Sequence, residues 1–370
     1  MPLKHPNWDI FCRVIDNYGD IGVCWRLAKQ LAYEYDIHVR LFVDDLESTQ
    51  HLLPSVNITL GVQYIDRVEI HHWRTDTTYA SAGDVVIEAF GCNLPQDYLH
   101  SMEEKRPIWL NLEYLSAENW VEDYHLMPSP HPSLALTKLF YFPGFTTRTG
   151  GLIRERDLIS DRDQFIDRQQ QANTGHQLLQ VSLFCYPFAP VSQLLSIMSA
   201  GAAPVYCYIP QTGIMPAVRD FFGIPQLTVG QQLISGNLTV EILPFLTQEA
   251  YDRLLWSCDI NFVRGEDSWV RAIWAGRPFV WQPYHQEENT HLTKLEAFFD
   301  KYFDAYEASA RNVIEQFHYA WIEGRLESPH WQRLLQFLPS LRTYTSKRSD
   351  VLAKMPDLAS KLVILSENSQ

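Results

Sequence analysis

Residues 10–35 constrain this chain more than any other stretch. Ile10-Phe11-Cys12-Arg13-Val14-Ile15 reads as a buried strand, and Asp16-Asn17-Tyr18-Gly19-Asp20 as an acidic, glycine-containing turn. An amphipathic helix follows, with Val23, Leu27, Leu31 and Tyr35 on one face. A turn at the carboxyl end of a first parallel strand is where open α/β sheets take ligands. This turn carries two carboxylates, Asp16 and Asp20, so it would repel a phosphate rather than cradle one. It is expected to face a cation, or a proton that has to leave.

The same β–α unit recurs. Ile37–Val43, Asp84–Gly91 and Pro107–Leu112 read as strands, and the loops behind them bring Asp44-Asp45, Gly91–Pro95 and Glu113–Ser116 to one sheet edge. Asp44-Asp45 is read as a solvated strand end, because no G-x-G-x-x-G precedes it. Glu113 is placed to hold an acceptor or to hydrogen-bond a neighbouring loop. Met127–Pro132 is expected to form no regular element. Asp157–Thr174 reads as surface helix plus hinge, with Asp161-Arg162-Asp163 as surface charge. The domain boundary is placed there, giving domains 1–174 and 175–345 and a tail, 346–370, expected to pack back on the first domain.

The second half restarts the alternation at Leu178–Tyr186, and its most informative stretch is Asp259–Trp281. A strand ends at Arg264, Gly265 turns the chain, and Asp267 or Ser268 caps a short helix stopped by Gly276. A helix start beside an arginine suits a diphosphate, and Glu266 suits sugar hydroxyls. An ordinary capped helix explains the pattern equally well. His285 and His291 do not have a metal-ligand spacing.

The 370 residues suit two domains, and a net charge of −14 argues against a nucleic-acid partner. Six scattered cysteines without a C-x-x-C pair read as reduced thiols of a cytoplasmic protein. No apolar run approaches the roughly 20 residues of a membrane span.

Five separated blocks, in order, give the chain a resemblance to a known family. They are Asp16–Gly22, Asn111–Glu118, His125–Pro130, Gly150–Glu155 and Arg264–Ser268. On these motifs, between about residues 9 and 300, the chain resembles the bacterial arginine rhamnosyltransferases of elongation factor P, the EarP family. The resemblance implies a GT-B fold, with two facing Rossmann-like domains and an interdomain cleft. It implies inverting, metal-independent transfer of L-rhamnose from dTDP-β-L-rhamnose to one arginine of elongation factor P, an activation that rescues ribosomes stalled at polyproline. No cofactor, nucleic acid or membrane is implied.

Carried over by position, Asp20 resembles the general base and Asp16 its essential neighbour, with Asn17 and Glu113 on the acceptor side. Phe184, Tyr186 and Phe245 match the donor pocket. Arg264, Glu266, Asp267 and Ser268 match the diphosphate and sugar motif, Glu266 being counted with the catalytic residues. Trp269 and Phe188 depart from the family pattern, Phe188 at the rim of the donor pocket. Two rivals stay open: another GT-B nucleotide-sugar transferase or epimerase, and a binding protein that recognises a basic domain without chemistry.

Overall fold

The computed structural model describes residues 6–15, 18–74, 76–79, 81–172 and 178–369. The chain divides into two compact units, residues 1–156 with 353–370, and residues 157–352. Each is an open, mainly parallel sheet with helices.

The first unit runs β1 (Asn7–Cys12), α1 (Gly19–Glu34), β2 (His38–Val43), α2 (Leu46–Leu52), β3 (Val62–Ile65), β4 (Val68–His72) and β5 (Val85–Ala89). It continues through α3 (Gln96–Lys105), β6 (Ile108–Leu112), α4 (Val121–Tyr124), β7 (Pro128–Pro130) and β8 (Thr137–Tyr141). The strand order is β3-β4-β2-β1-β5-β6-β8-β7, antiparallel only at the two outer pairs. β1 is fully buried from Trp8 to Cys12, as a central parallel strand covered on both faces must be. Phe11 stacks on Phe42 at 4.3 Å within a cluster that includes Tyr98 and Met102 of α3. Because β1 pairs with both β2 and β5, the chain changes direction along the sheet there, and a crevice opens at the carboxyl ends of β1 and β5.

The second unit comprises α5 (Leu158–Ala172), β9 (Leu179–Leu183), α6 (Val191–Ala200), β10 (Val205–Pro210), α7 (Met215–Phe222), β11 (Gln232–Ser235), β12 (Leu238–Leu243) and α8 (Gln248–Ser257). β13 (Ile260–Arg264), α9 (Asp267–Ala275), β14 (Phe279–Gln282), α10 (Thr290–Tyr302), α11 (Ala308–Ile322) and α12 (Ser328–Leu352) complete it. Its order, β11-β12-β10-β9-β13-β14, reverses at β9 and β13. A last helix, α13 (Leu358–Asn368), belongs to the first unit and packs on α1. There Gln30 Nε2 of α1 donates to the Arg154 carbonyl at 2.7 Å and to Asp357 Oδ1 at 3.1 Å, and Leu358 N–H donates to the Leu152 carbonyl. The helix that starts at the acidic turn is thereby clamped on its outer face.

Several expectations are corrected. The division falls at 156, not 174, because α5 packs on α8 and α9: Phe165 meets Trp256 edge-on at 5.6 Å. Arg162 is not surface charge. It is 4% exposed, and its Nη1 donates to the Trp274 carbonyl at 2.9 Å and Ser349 Oγ at 3.0 Å. Met127–Pro132 does contain a regular element, the edge strand β7, where Ser129 lies opposite Lys138 between two prolines. An edge tolerates prolines because the missing N–H groups face no neighbour. The tail does not separate at 346. α12 runs on to Leu352, and a break before Asp357 starts α13. Residues 173 and 174 of the expected hinge lie outside the described residues. The six cysteines are buried and in no disulfide, and no described helix is long and apolar enough to cross a membrane.

A buried ion pair joins α8 to α9. Arg271 Nε and Nη2 donate to the two oxygens of Asp252 at 2.9 and 2.6 Å, with both residues at most 5% exposed. Removing one partner strands a buried charge, so Asp252→Ala should cost about 3–5 kcal/mol in urea unfolding. The double replacement Asp252→Leu with Arg271→Met should recover much of that loss; equal losses in the two would contradict the role given to the pair.

Buried His318 accepts from Trp281 N–H through Nε2 at 3.1 Å, and burial pushes its imidazole down to about 4. Burial, with Lys361 adding, does the same to His125. A depressed folded value means the unfolded chain takes protons first. This stability is therefore complete above the ordinary value of 6.5 and is lost as pH falls towards 4. Through His318 alone, stability should fall by ~2 kcal/mol from pH 7 to 5. His318→Gln, measured by the same unfolding titration, should show a correspondingly flatter profile.

Candidate active site

The crevice of the first sheet contains Asp20, the last residue of the predicted acidic turn. Asp20 occupies the first turn of α1, where the helix dipole favours an anion, and is 1% exposed. Its Oδ2 accepts from the Ile15 N–H at 2.7 Å and its Oδ1 from the Tyr114 hydroxyl at 3.1 Å. Asp16 and Asn17 lie outside the described residues. Asp44 braces the turn from the next strand, accepting from the Val14 N–H at 2.9 Å, with Arg13 Nε 3.8 Å from its other oxygen. Asp45 caps α2 by accepting from the Ser48 N–H at 2.9 Å. The solvated strand end expected from sequence is thus part of the support for the turn.

Glu113 follows the last residue of β6. Asn111 Nδ2 donates to Glu113 Oε1 at 2.5 Å, while Asn111 Oδ1 accepts from the Gly91 N–H at 3.0 Å. Burial raises the Glu113 carboxyl above its ordinary value, an effect that Glu88 reinforces and Asn111 and Lys138 oppose. Glu88 itself is buried opposite Asn111 in register and pairs with Lys138 Nζ at 3.2 Å. The carboxyl edge of this sheet therefore concentrates acidic groups that are held by neighbours.

The crevice of the second sheet gathers most of the expected donor residues. The Arg264 guanidinium lies 4.7 Å from the Phe184 ring centroid and 4.5 Å from that of Tyr186, bringing the ends of β13 and β9 together. Gly265 has φ +60, the left-handed conformation that the turn into α9 requires. Trp281 Nε1 donates to its carbonyl at 2.8 Å. Neither Asp267 nor Ser268 is the helix cap. Glu266 holds that position without a side-chain cap bond, whereas Ser268 Oγ accepts from the Arg264 N–H at 3.1 Å and donates to the Arg264 carbonyl. The serine closes the turn and keeps Arg264 beside the positive end of α9. Asp267 accepts from Gln248 Nε2 at 3.2 Å, and Phe245 is half-buried on the loop between β12 and α8.

The two departures from the family pattern differ in kind. Trp269 is buried and stacks on Trp281 at 3.8 Å, so it belongs to the core. Phe188 is 55% exposed and stacks on Tyr186 at 5.3 Å, where it extends the aromatic rim. Tyr114 and Phe90 were not singled out from sequence, although Tyr114 lies within a quoted motif. Only the folded strand order brings the Tyr114 hydroxyl to Asp20. His285 and His291 have ring centroids 4.6 Å apart, but among the described residues no group of three possible metal ligands occurs.

Comparison with known proteins adds independent findings. A family model described as Elongation-Factor P (EF-P) rhamnosyltransferase EarP matches residues 8–367. A protein-arginine rhamnosyltransferase of Pseudomonas putida is 42% identical over 376 residues, covering 98% of this chain and 99% of the relative. One of the same name from Pseudomonas aeruginosa is 42% identical over 370 residues, covering 96% and 98%. The solved structure described as "Structural basis for EarP-mediated arginine glycosylation of translation elongation factor EF-P" matches with a TM-score of 0.71 at 32% identity, over 99% of this chain and 100% of that one. The spinosyn forosaminyltransferase SpnP shares the fold alone, with a TM-score of 0.52 at 10% identity over 99% of both chains. The two sheets are the Rossmann-like domains of a GT-B fold, and the protein is a glycosyltransferase. The chain belongs to the EarP family.

Proposed function

We propose that this protein transfers L-rhamnose from dTDP-β-L-rhamnose to a single arginine of elongation factor P in the cytoplasm, with inversion and without a metal. The observation that carries the reading is the buried Asp20 carboxylate at the crevice of the first sheet, an anion oriented from two sides where a cationic acceptor is required. The curated relatives are named for protein-arginine rhamnosylation, which agrees in acceptor chemistry and in sugar.

A guanidinium has a pKa above about 12, so no aspartate deprotonates it in the ground state. Asp20, with Asp16 and Glu113, instead grips and orients it and opposes delocalisation of its nitrogen lone pairs. As the new C–N bond forms, the attacking nitrogen becomes acidic and Asp20 takes its proton. In the same displacement the bond from the anomeric carbon to the diphosphate oxygen breaks, and attack from the opposite face inverts the centre. Arg264 and the start of α9 receive the charge of the departing dTDP. Phe184, Tyr186 and Phe245 offer rings to the thymine, and Glu266 accepts from sugar hydroxyls. The turn closed by Ser268 keeps the guanidinium of Arg264 where the charge develops.

The test is intact-protein and peptide mass spectrometry of elongation factor P incubated with this protein and dTDP-rhamnose. The expected product carries one deoxyhexose on one arginine, and it forms at the same rate in EDTA. No mass gain, or a gain on another residue type, contradicts the acceptor reading. A rate lost in EDTA and restored by magnesium contradicts the metal-free step.

A further inference from the structure

Two of the donors that hold Asp20 differ in origin. The Ile15 N–H comes from its own turn, but the Tyr114 hydroxyl arrives from the loop after β6, two strands away. The tyrosine ring is stacked on Phe90, with centroids 4.3 Å apart and planes 12° from parallel, and remains 38% exposed. Phe90 has φ +55, a left-handed conformation that a residue with a Cβ adopts only under constraint. Its N–H donates to the Leu112 carbonyl at 2.7 Å, and the next residue, Gly91, donates to Asn111 Oδ1 at 3.0 Å, which holds that conformation in place. A strained aromatic residue at the crevice of the sheet therefore backs a side chain that donates to Asp20.

We infer that Tyr114, carried on Phe90, is a positioning residue that fixes the plane of the Asp20 carboxylate for the transfer step; this rests on the function proposed above. A carboxylate oxygen can accept more than one hydrogen bond. With Ile15 on one oxygen and Tyr114 on the other, the group cannot rotate about its Cβ–Cγ bond without losing a donor. The plane of the carboxylate is thereby fixed for the guanidinium. Phe90 stiffens the tyrosine in turn, since a stacked ring swings less freely than one exposed on both faces. The pair adds no charge to the reaction. It restricts where an existing charge points, and misplacement of a reacting group by about 1 Å is enough to cost roughly 100-fold in rate.

Tyr114→Phe keeps the stacked ring and removes only the hydroxyl. In steady-state transfer to elongation factor P, its kcat should fall about 10- to 100-fold. KM for dTDP-rhamnose and the affinity for dTDP should stay at wild-type values, a split that a general loss of structure would not give. Phe90→Ala should lower kcat similarly, and Phe90→Tyr should restore it. Because both residues act through one contact, the combined Tyr114→Phe, Phe90→Ala variant should lose no more than the larger single loss. Wild-type kcat in Tyr114→Phe overturns the inference, as do losses that multiply in the double variant. If Phe90→Ala does not fold, Tyr114→Phe alone decides. An inactive wild-type chain would overturn the proposed function itself, and is distinguished by the absence of any mass gain.

Discussion

Both units depend on one topological constraint. A parallel sheet wound in both directions from a central strand cannot cover the place where the winding reverses, and side chains from two neighbouring loops meet there. In the first sheet the reversal lies at β1 and β5, in the second at β9 and β13. The groups named for acceptor and donor gather at these places: Asp20 with Tyr114 and Phe90 in the first, Arg264 with Phe184 and Tyr186 in the second. The buried hydrophobic strands set these crevices, and the loop residues give each its charge.

The central groups of the two crevices, Asp20 and Arg264, are opposite in charge, and each is held by its own surroundings. At the first, a buried carboxylate sits at the amino end of α1 and accepts from a backbone N–H and a phenol, with further carboxylates nearby. At the second, a guanidinium lies over two aromatic rings beside the amino end of α9. Helix dipoles contribute differently to the two. At α1 the dipole is neutralised by the protein's own Asp20, so no phosphate is invited. At α9 it acts together with Arg264, and an anionic leaving group is favoured. The proposed transfer, with a cationic acceptor and an anionic leaving group, needs this division.

Much of this was legible in the sequence, because apolar runs and acidic turns are local. The succession of β1 and α1, the Arg264–Ser268 turn and most strands follow from composition and spacing alone, but β1 stops at Cys12 and leaves Ile15 66% exposed, where the sequence reads a buried strand running to Ile15. What stayed hidden depended on contacts between distant residues. Arg162 reads as one charge among many, and only packing of α5 on α8 and α9 shows why it is buried against Trp274 and Ser349. Ser268 has the spacing of a cap, but its hydroxyl is taken by the backbone of Arg264. The β3–β4 hairpin carries no strong turn signal beyond Asp66-Arg67, two residues with positive φ. Tyr114 reaches Asp20 across 94 positions of sequence, a separation that no periodicity encodes.

The central claim is that the two crevices divide the work, the acidic one handling the acceptor and the arginine-bearing one the donor. Isothermal titration of dTDP into Asp20→Asn and Arg264→Gln tests it directly. The account predicts that Asp20→Asn binds dTDP as the wild type does while transferring no rhamnose, and that Arg264→Gln binds it at least about 10-fold more weakly, as expected when a charge-assisted contact is lost. Loss of dTDP binding in Asp20→Asn, or wild-type affinity in Arg264→Gln, would contradict it.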